Sequence, residues 1–121
     1  MIPNKSKKNL KATIDEIRKF SFSYLEKYAP SKQQLRTYLL KKFFKSSNFY
    51  VAKSELLTLI DLVIFDLEKH EFISDKFYSQ SKTKKFLKKG YSLNKIRNYL
   101  INKGINEKYI KESITKINLK E

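Results

Sequence analysis

The sequence predicts an all-α fold built from tandem three-helix repeats, two units and six helices in an elongated array. A twelve-residue pattern, Ser31-x-x-x-Leu35-Arg36-Thr37-Tyr38-Leu39-Leu40-x-Lys42, returns sixty-one residues later as Ser92-x-x-x-Ile96-Arg97-Asn98-Tyr99-Leu100-Ile101-x-Lys103. No gap is needed, which implies that one helical unit is used twice. Apolar residues recur three and four apart, the period of a helix face. Pro30, Gly90 and Gly104 fall between the periodic stretches, where helices should stop.

Each element follows in order. From Asn9 to Tyr28 the stripe is Leu10, Ile14, Ile17, Phe20, Tyr24 and Tyr28, and Ala29-Pro30 ends it because the residue before proline is pushed out of the α region. Ser31 opens a second helix, and Gln34 three residues on completes a capping box. Leu35, Tyr38, Leu39 and Phe43 form its buried face. The aperiodic stretch 45–53 reads as a loop whose Phe49 and Tyr50 tuck back onto the core. Ser54 is expected to cap a third helix, the most buried, with Leu56, Leu57, Ile60, Val63, Ile64 and Leu67 inward. Ser74-Asp75 caps a fourth, and Gly90 ends it in the left-handed region. A fifth runs from Ser92 to Gly104, and Asn106 caps a sixth. The expected division is a basic tail over 1–8, a first unit over 9–70 and a second over 71–121, each unit a long, a short and a medium helix.

Composition narrows the function classes. The chain has 121 residues, 40% of them hydrophobic, enough for a modest core. With no cysteine it can form neither a disulfide nor a cysteine-ligated zinc site. No apolar run approaches a membrane span and no signal peptide follows Met1, so a cytoplasmic location is expected. Net charge is +15, with +8 over residues 81–104 and −3 over 56–80. Such a field attracts polyanions, above all nucleic acid. Part of the lysine excess reads as genome composition, since alanine and arginine number only three each.

The residues suited to a partner are basic. On the fourth helix Lys82, Lys85 and Lys89 share one face, and Lys84 and Lys88 share its neighbour. Lys95, Arg97 and Lys103 follow, while Lys32, Arg36, Lys41, Lys42 and Lys45 form a second group. Lysine is a mobile point charge that suits phosphate oxygens without demanding one geometry. Arg36 and Arg97 occupy matched repeat positions, where a guanidinium either forks onto a neighbouring carboxylate or meets the partner. Most aromatics lie on apolar stripes and read as core, among them Phe65, Phe77 and Phe86. Phe49, Tyr50 and Tyr91 are the candidates for base stacking.

Little points to catalysis. His70, the only histidine, sits at a helix end, where a capping role is expected. There is no glycine-rich phosphate loop and no metal-ligand spacing, so no enzyme activity, metal or cofactor is expected.

Three segments in order resemble one family. They are Phe72-Ile73-Ser74-Asp75-Lys76-Phe77-Tyr78, then Lys88-Lys89-Gly90-Tyr91, then Ile96-Arg97-x-x-Leu100-x-x-Lys103-Gly104-Ile105. Together they resemble the RecX family of regulators of the RecA recombinase, over about residues 20–118. The resemblance implies tandem three-helix repeats, and a protein that binds the RecA filament on single-stranded DNA and damps strand exchange and ATP hydrolysis. Family members usually carry a third unit, so the chain is expected to be a short form lacking most of it. Read from charge alone, the alternative is a general basic helical DNA-binding protein without a recombinase target.

Overall fold

The computed structural model describes residues 11–46 and 52–120, and all the regular structure there is helical. Six helices follow in order: α1 (Ile14–Lys27), α2 (Lys32–Ser46), α3 (Lys53–Lys69), α4 (Asp75–Lys88), α5 (Leu93–Asn102) and α6 (Glu107–Lys120). The expected basic tail, the start of the first helix at Asn9, and Phe49 and Tyr50 lie outside the described residues. Helices α1, α2 and α3 have 14, 15 and 17 residues, so the expected long–short–medium order fails among the first three.

The helix ends follow from local chemistry. Ser31 and Gln34 form the expected capping box: the Ser31 N–H donates to Gln34 Oε1 (2.9 Å) and the Gln34 N–H to Ser31 Oγ (3.2 Å). Ser74 and Ser92 cap α4 and α5 by accepting from the N–H groups of Phe77 and Lys95. Asn106 Oδ1 accepts from the Lys108 N–H at the start of α6. At α3 the expectation fails, because Ala52 is the N-cap and no side chain caps the helix. Ser54 lies inside its first turn, and its carbonyl accepts from the Thr58 hydroxyl.

Three helices end in the same way. Phe72 N–H donates to the Leu67 carbonyl, Tyr91 N–H to Phe86 and Ile105 N–H to Leu100, each between 2.8 and 3.0 Å. These are the six-to-one bonds of a Schellman turn, which needs a residue with positive φ just past the helix. Gly90 (φ 87°) and Gly104 (φ 80°) supply it for α4 and α5, and Glu71 (φ 64°) supplies it for α3.

The chain divides into two compact units. One contains the described residues through Ala29 together with Leu35–Ile73; the other contains Pro30–Gln34 and the described residues from Ser74 onward. The first is organised around Ile17, Leu35, Leu39, Phe43, Leu56, Ile60, Val63 and Leu67. Its aromatics interlock: Phe20 meets Phe43 edge-on at 5.3 Å between centroids, and Tyr24 stacks on Tyr38 at 4.2 Å. The second is organised around Tyr78, Phe86, Ile96, Leu100, Ile105 and Ile110. Small side chains let α4 and α6 pack closely there. Ser79 and Ser113 are both buried, their hydroxyls 2.8 Å apart, and Ser113 donates to the Tyr109 carbonyl.

The sequence repeat survives as matched roles. Leu35 and Ile96, and Leu39 and Leu100, are all fully buried. Burying each such side chain stabilises by about 1.5–3 kcal/mol relative to exposure. Three stripe aromatics break the pattern: Phe65 (66% exposed), Phe77 (64%) and Tyr28 (57%) point outward, contrary to their expected place in the core.

Candidate polyanion-binding face

All three arginines are committed to carboxylates within their own unit. Arg36 on α2 forks onto Asp61 of α3, with Nε to Oδ1 at 2.7 Å and an Nη to Oδ2 at 3.1 Å. The Asp61 hydrogen bond raises the Arg36 pKa further, against a smaller opposing effect of burial. Arg97 on α5 donates from one Nη to Oε2 of Glu107 on α6, a single bond rather than a fork. The third, Arg18, bonds Asp66 at 3.4 Å. The matched arginines therefore tie neighbouring helices together.

Several lysines are engaged with aromatic rings. The Nζ of Lys95 lies 4.1 Å from the centroid of Tyr91, that of Lys103 5.2 Å from Tyr99, that of Lys82 5.5 Å from Tyr78 and that of Lys42 5.6 Å from Phe20. Tyr91, expected as a stacking platform, stacks on Phe86 (4.9 Å) and is covered by Lys95. Lys41 is exposed on α2.

That leaves α4. Lys84, Lys85, Lys88 and Lys89 are exposed, and among the described residues none of them is in an ion pair. With Ser81 they line an open groove of about 440 Å³. The geometry follows from the core. Tyr78, Ser79, Thr83 and Phe86 point α4 inward, so the positions opposite them must face solvent. Four ammonium groups on two turns of one helix repel one another, and an anion laid along them relieves that repulsion.

Phe77 belongs to this face. Phe77, Ser81, Lys84 and Lys88 stand at i, i+4, i+7 and i+11, a single stripe along the helix. Placing Phe77 in the core missed this, although its register with Lys84 and Lys88 is legible once α4 is treated as one helix.

The remaining polar groups serve the fold. His70 is the C-cap of α3, and its Nδ1 donates to the Asp66 carbonyl at 2.9 Å. Among the described residues no three histidine, aspartate or glutamate side chains gather to hold a metal ion. No described helix is long and apolar enough to cross a membrane. Comparison of the chain with protein-family models, with curated proteins and with solved structures finds no match.

Proposed function

We propose that the chain is a non-enzymatic regulator of the RecX type, which acts in the cytoplasm by docking on a RecA filament on single-stranded DNA and damping ATP hydrolysis and strand exchange. The observation that carries the reading is the exposed lysine face of α4. It follows the first of the three segments that carry the resemblance, Phe72–Tyr78, and runs into the second, Lys88–Tyr91. A recombinase filament on DNA presents phosphates over many nanometres, and mobile lysines suit such a surface.

A second reading is favoured by one specific observation: among the described residues the cations in no ion pair are all lysines, and every arginine is held by a carboxylate. No guanidinium is left to fork onto a base edge, so a plain DNA-coating protein would have the same face.

The deciding experiment is ATP hydrolysis by preformed RecA filaments as the chain is titrated in, at salt high enough to suppress its own binding to DNA. Inhibition at fewer molecules than recombinase protomers is the expected result. No inhibition, with DNA binding restored at low salt, would replace the regulator with the coating protein.

A further inference from the structure

The lysine face of α4 ends in an aromatic ring that the core does not use. Phe77 is 64% exposed and lies in the first turn, directly in line with Ser81, Lys84 and Lys88. At about 1.5 Å of rise per residue the ring is roughly 10 Å from Lys84 and 16 Å from Lys88 along the axis. That length matches about four or five nucleotides at the ~3.4 Å spacing of a stacked strand.

An exposed ring and a row of unpaired cations call for different parts of the same ligand. A phosphate has no use for the ring, and an apolar peptide has no use for the lysines. An unpaired nucleotide uses both, stacking its base on the ring while its backbone follows the charges. A duplex keeps its bases stacked on one another and offers none to Phe77.

Among the other outward aromatics, Tyr28 lies against Tyr24 and Phe72 edge-on against Phe22. Phe65 is as exposed as Phe77, but it stands between Asp61 and Asp66 in the acidic part of the chain, where phosphate is repelled. Tyr91 is taken up by Phe86 and Lys95. Among the described residues Phe77 combines the more open ring with two lysines of its own stripe that are in no ion pair, whereas Phe44 (41% exposed) has only Lys41 on its stripe.

The geometry points to α4 as a single-strand nucleic-acid tract, with Phe77 stacking on one base and Lys84, Lys88 and their neighbours Lys85 and Lys89 holding the phosphates. It rests on the proposed regulator to the extent that it assigns this face to the DNA strand of the filament and leaves the recombinase to other surfaces.

The test uses the full chain and three labelled probes without recombinase: an oligothymidylate, a strand of the same length with abasic sites throughout, and a blunt duplex. The oligothymidylate should bind best. Phe77→Leu, which keeps an apolar side chain but removes the π face, should weaken that binding by about 5- to 100-fold, and Phe77→Tyr should restore it. The abasic strand should bind the wild type and the Leu variant equally. Lys84→Gln with Lys88→Gln should lower the slope of log affinity against log salt by about 1.4, near 0.7 for each phosphate no longer neutralised. Phe77→Leu should leave that slope alone. Equal binding of oligothymidylate by wild type and Phe77→Leu would overturn the assignment. So would a duplex bound as tightly as the single strand, or a chain that binds recombinase filaments but none of the three probes. The regulator reading fails separately, through absent inhibition of ATP hydrolysis, and neither failure mimics the other.

Discussion

Asp75 Oδ1 accepts the backbone N–H of Lys32 at 2.8 Å, across 43 residues of sequence. The carboxylate is 6% exposed and opens α4, and its charge stands at the N-terminus of α2, where the helix dipole favours an anion. Ser31, one residue before, donates its hydroxyl to the Lys103 carbonyl at 2.9 Å. Five residues from the front of the chain are thereby fastened to the unit formed by its second half.

Asp75→Ala should destabilise the chain by about 1–3 kcal/mol, since it strips a donor of its acceptor and the helix end of its anion. Asp75→Asn keeps an oxygen and should cost less. Urea denaturation followed by circular dichroism would order the three proteins. An alanine variant as stable as the wild type would show that the bond contributes nothing.

Gly104 and Gly90 share positive φ but differ in surroundings. A Cβ on Gly90 meets nothing within 4 Å, whereas one on Gly104 would stand 2.8 Å from the Cβ of Gln33. Gly90→Ala should therefore cost about 1 kcal/mol, the left-handed conformation alone. Gly104→Ala should cost more, and Gln33→Gly in the same chain should recover the difference. Equal midpoints for the two single variants would refute the close approach.

The turn after α3 offers the converse change. Glu71 holds φ 64° where its two counterparts are glycines, so Glu71→Gly should stabilise by on the order of 1 kcal/mol, less the entropy that glycine adds to the unfolded chain. A rise in the urea midpoint is the expected reading, and a fall would mean that the Glu71 side chain contributes more than the backbone conformation costs.

Thr83 Oγ1 is buried and finds no hydrogen-bond partner among the described residues. Thr83→Val replaces that hydroxyl by a methyl of similar shape and should stabilise by about 1 kcal/mol. A loss of stability would reveal a partner for the hydroxyl.

Burial raises the Tyr78 phenol well above the ordinary tyrosine pKa, helped by its hydrogen bond to Tyr99 and by the nearby charges of Tyr99 and Asp75. The fold favours the neutral phenol, so its contribution is fully present below the unfolded pKa of about 10. It falls as pH rises from there through the raised folded value. Thermal melts from pH 9 to 12 should show this decline, and it should be shallower in Tyr78→Phe. Parallel curves for the two proteins would contradict the shift.

The sequence made most helix ends legible where their chemistry is local, both ends of α3 excepted. Ser31 with Gln34, Ser74, Ser92, Gly90 and Gly104 each act within a turn of the chain, and each is found in the expected role. Long-range roles were not legible: nothing near Asp75 in the sequence indicates that it caps a helix 43 residues away. Periodicity misplaced Phe65 and Phe77 because it admits a wide apolar stripe and cannot tell its centre from its margin. Glu71 escaped notice because it is neither glycine nor asparagine. For the lysine face, spacing showed which residues share a side of α4. Which ammonium groups remain unpaired depended on the rings and carboxylates that the fold brings near them.

Pro30–Gln34 belongs to the unit whose remaining residues begin at Ser74, and this bears on synthesis. Domains commonly fold as they leave the ribosome, the earlier before the later. Here Ser31 emerges 72 residues ahead of Lys103, whose carbonyl receives its hydroxyl. The second unit therefore cannot close in the order in which it is made. Its first piece must wait through the translation of α3, α4 and α5, and the final closure is a long-range step taken when the chain is nearly complete.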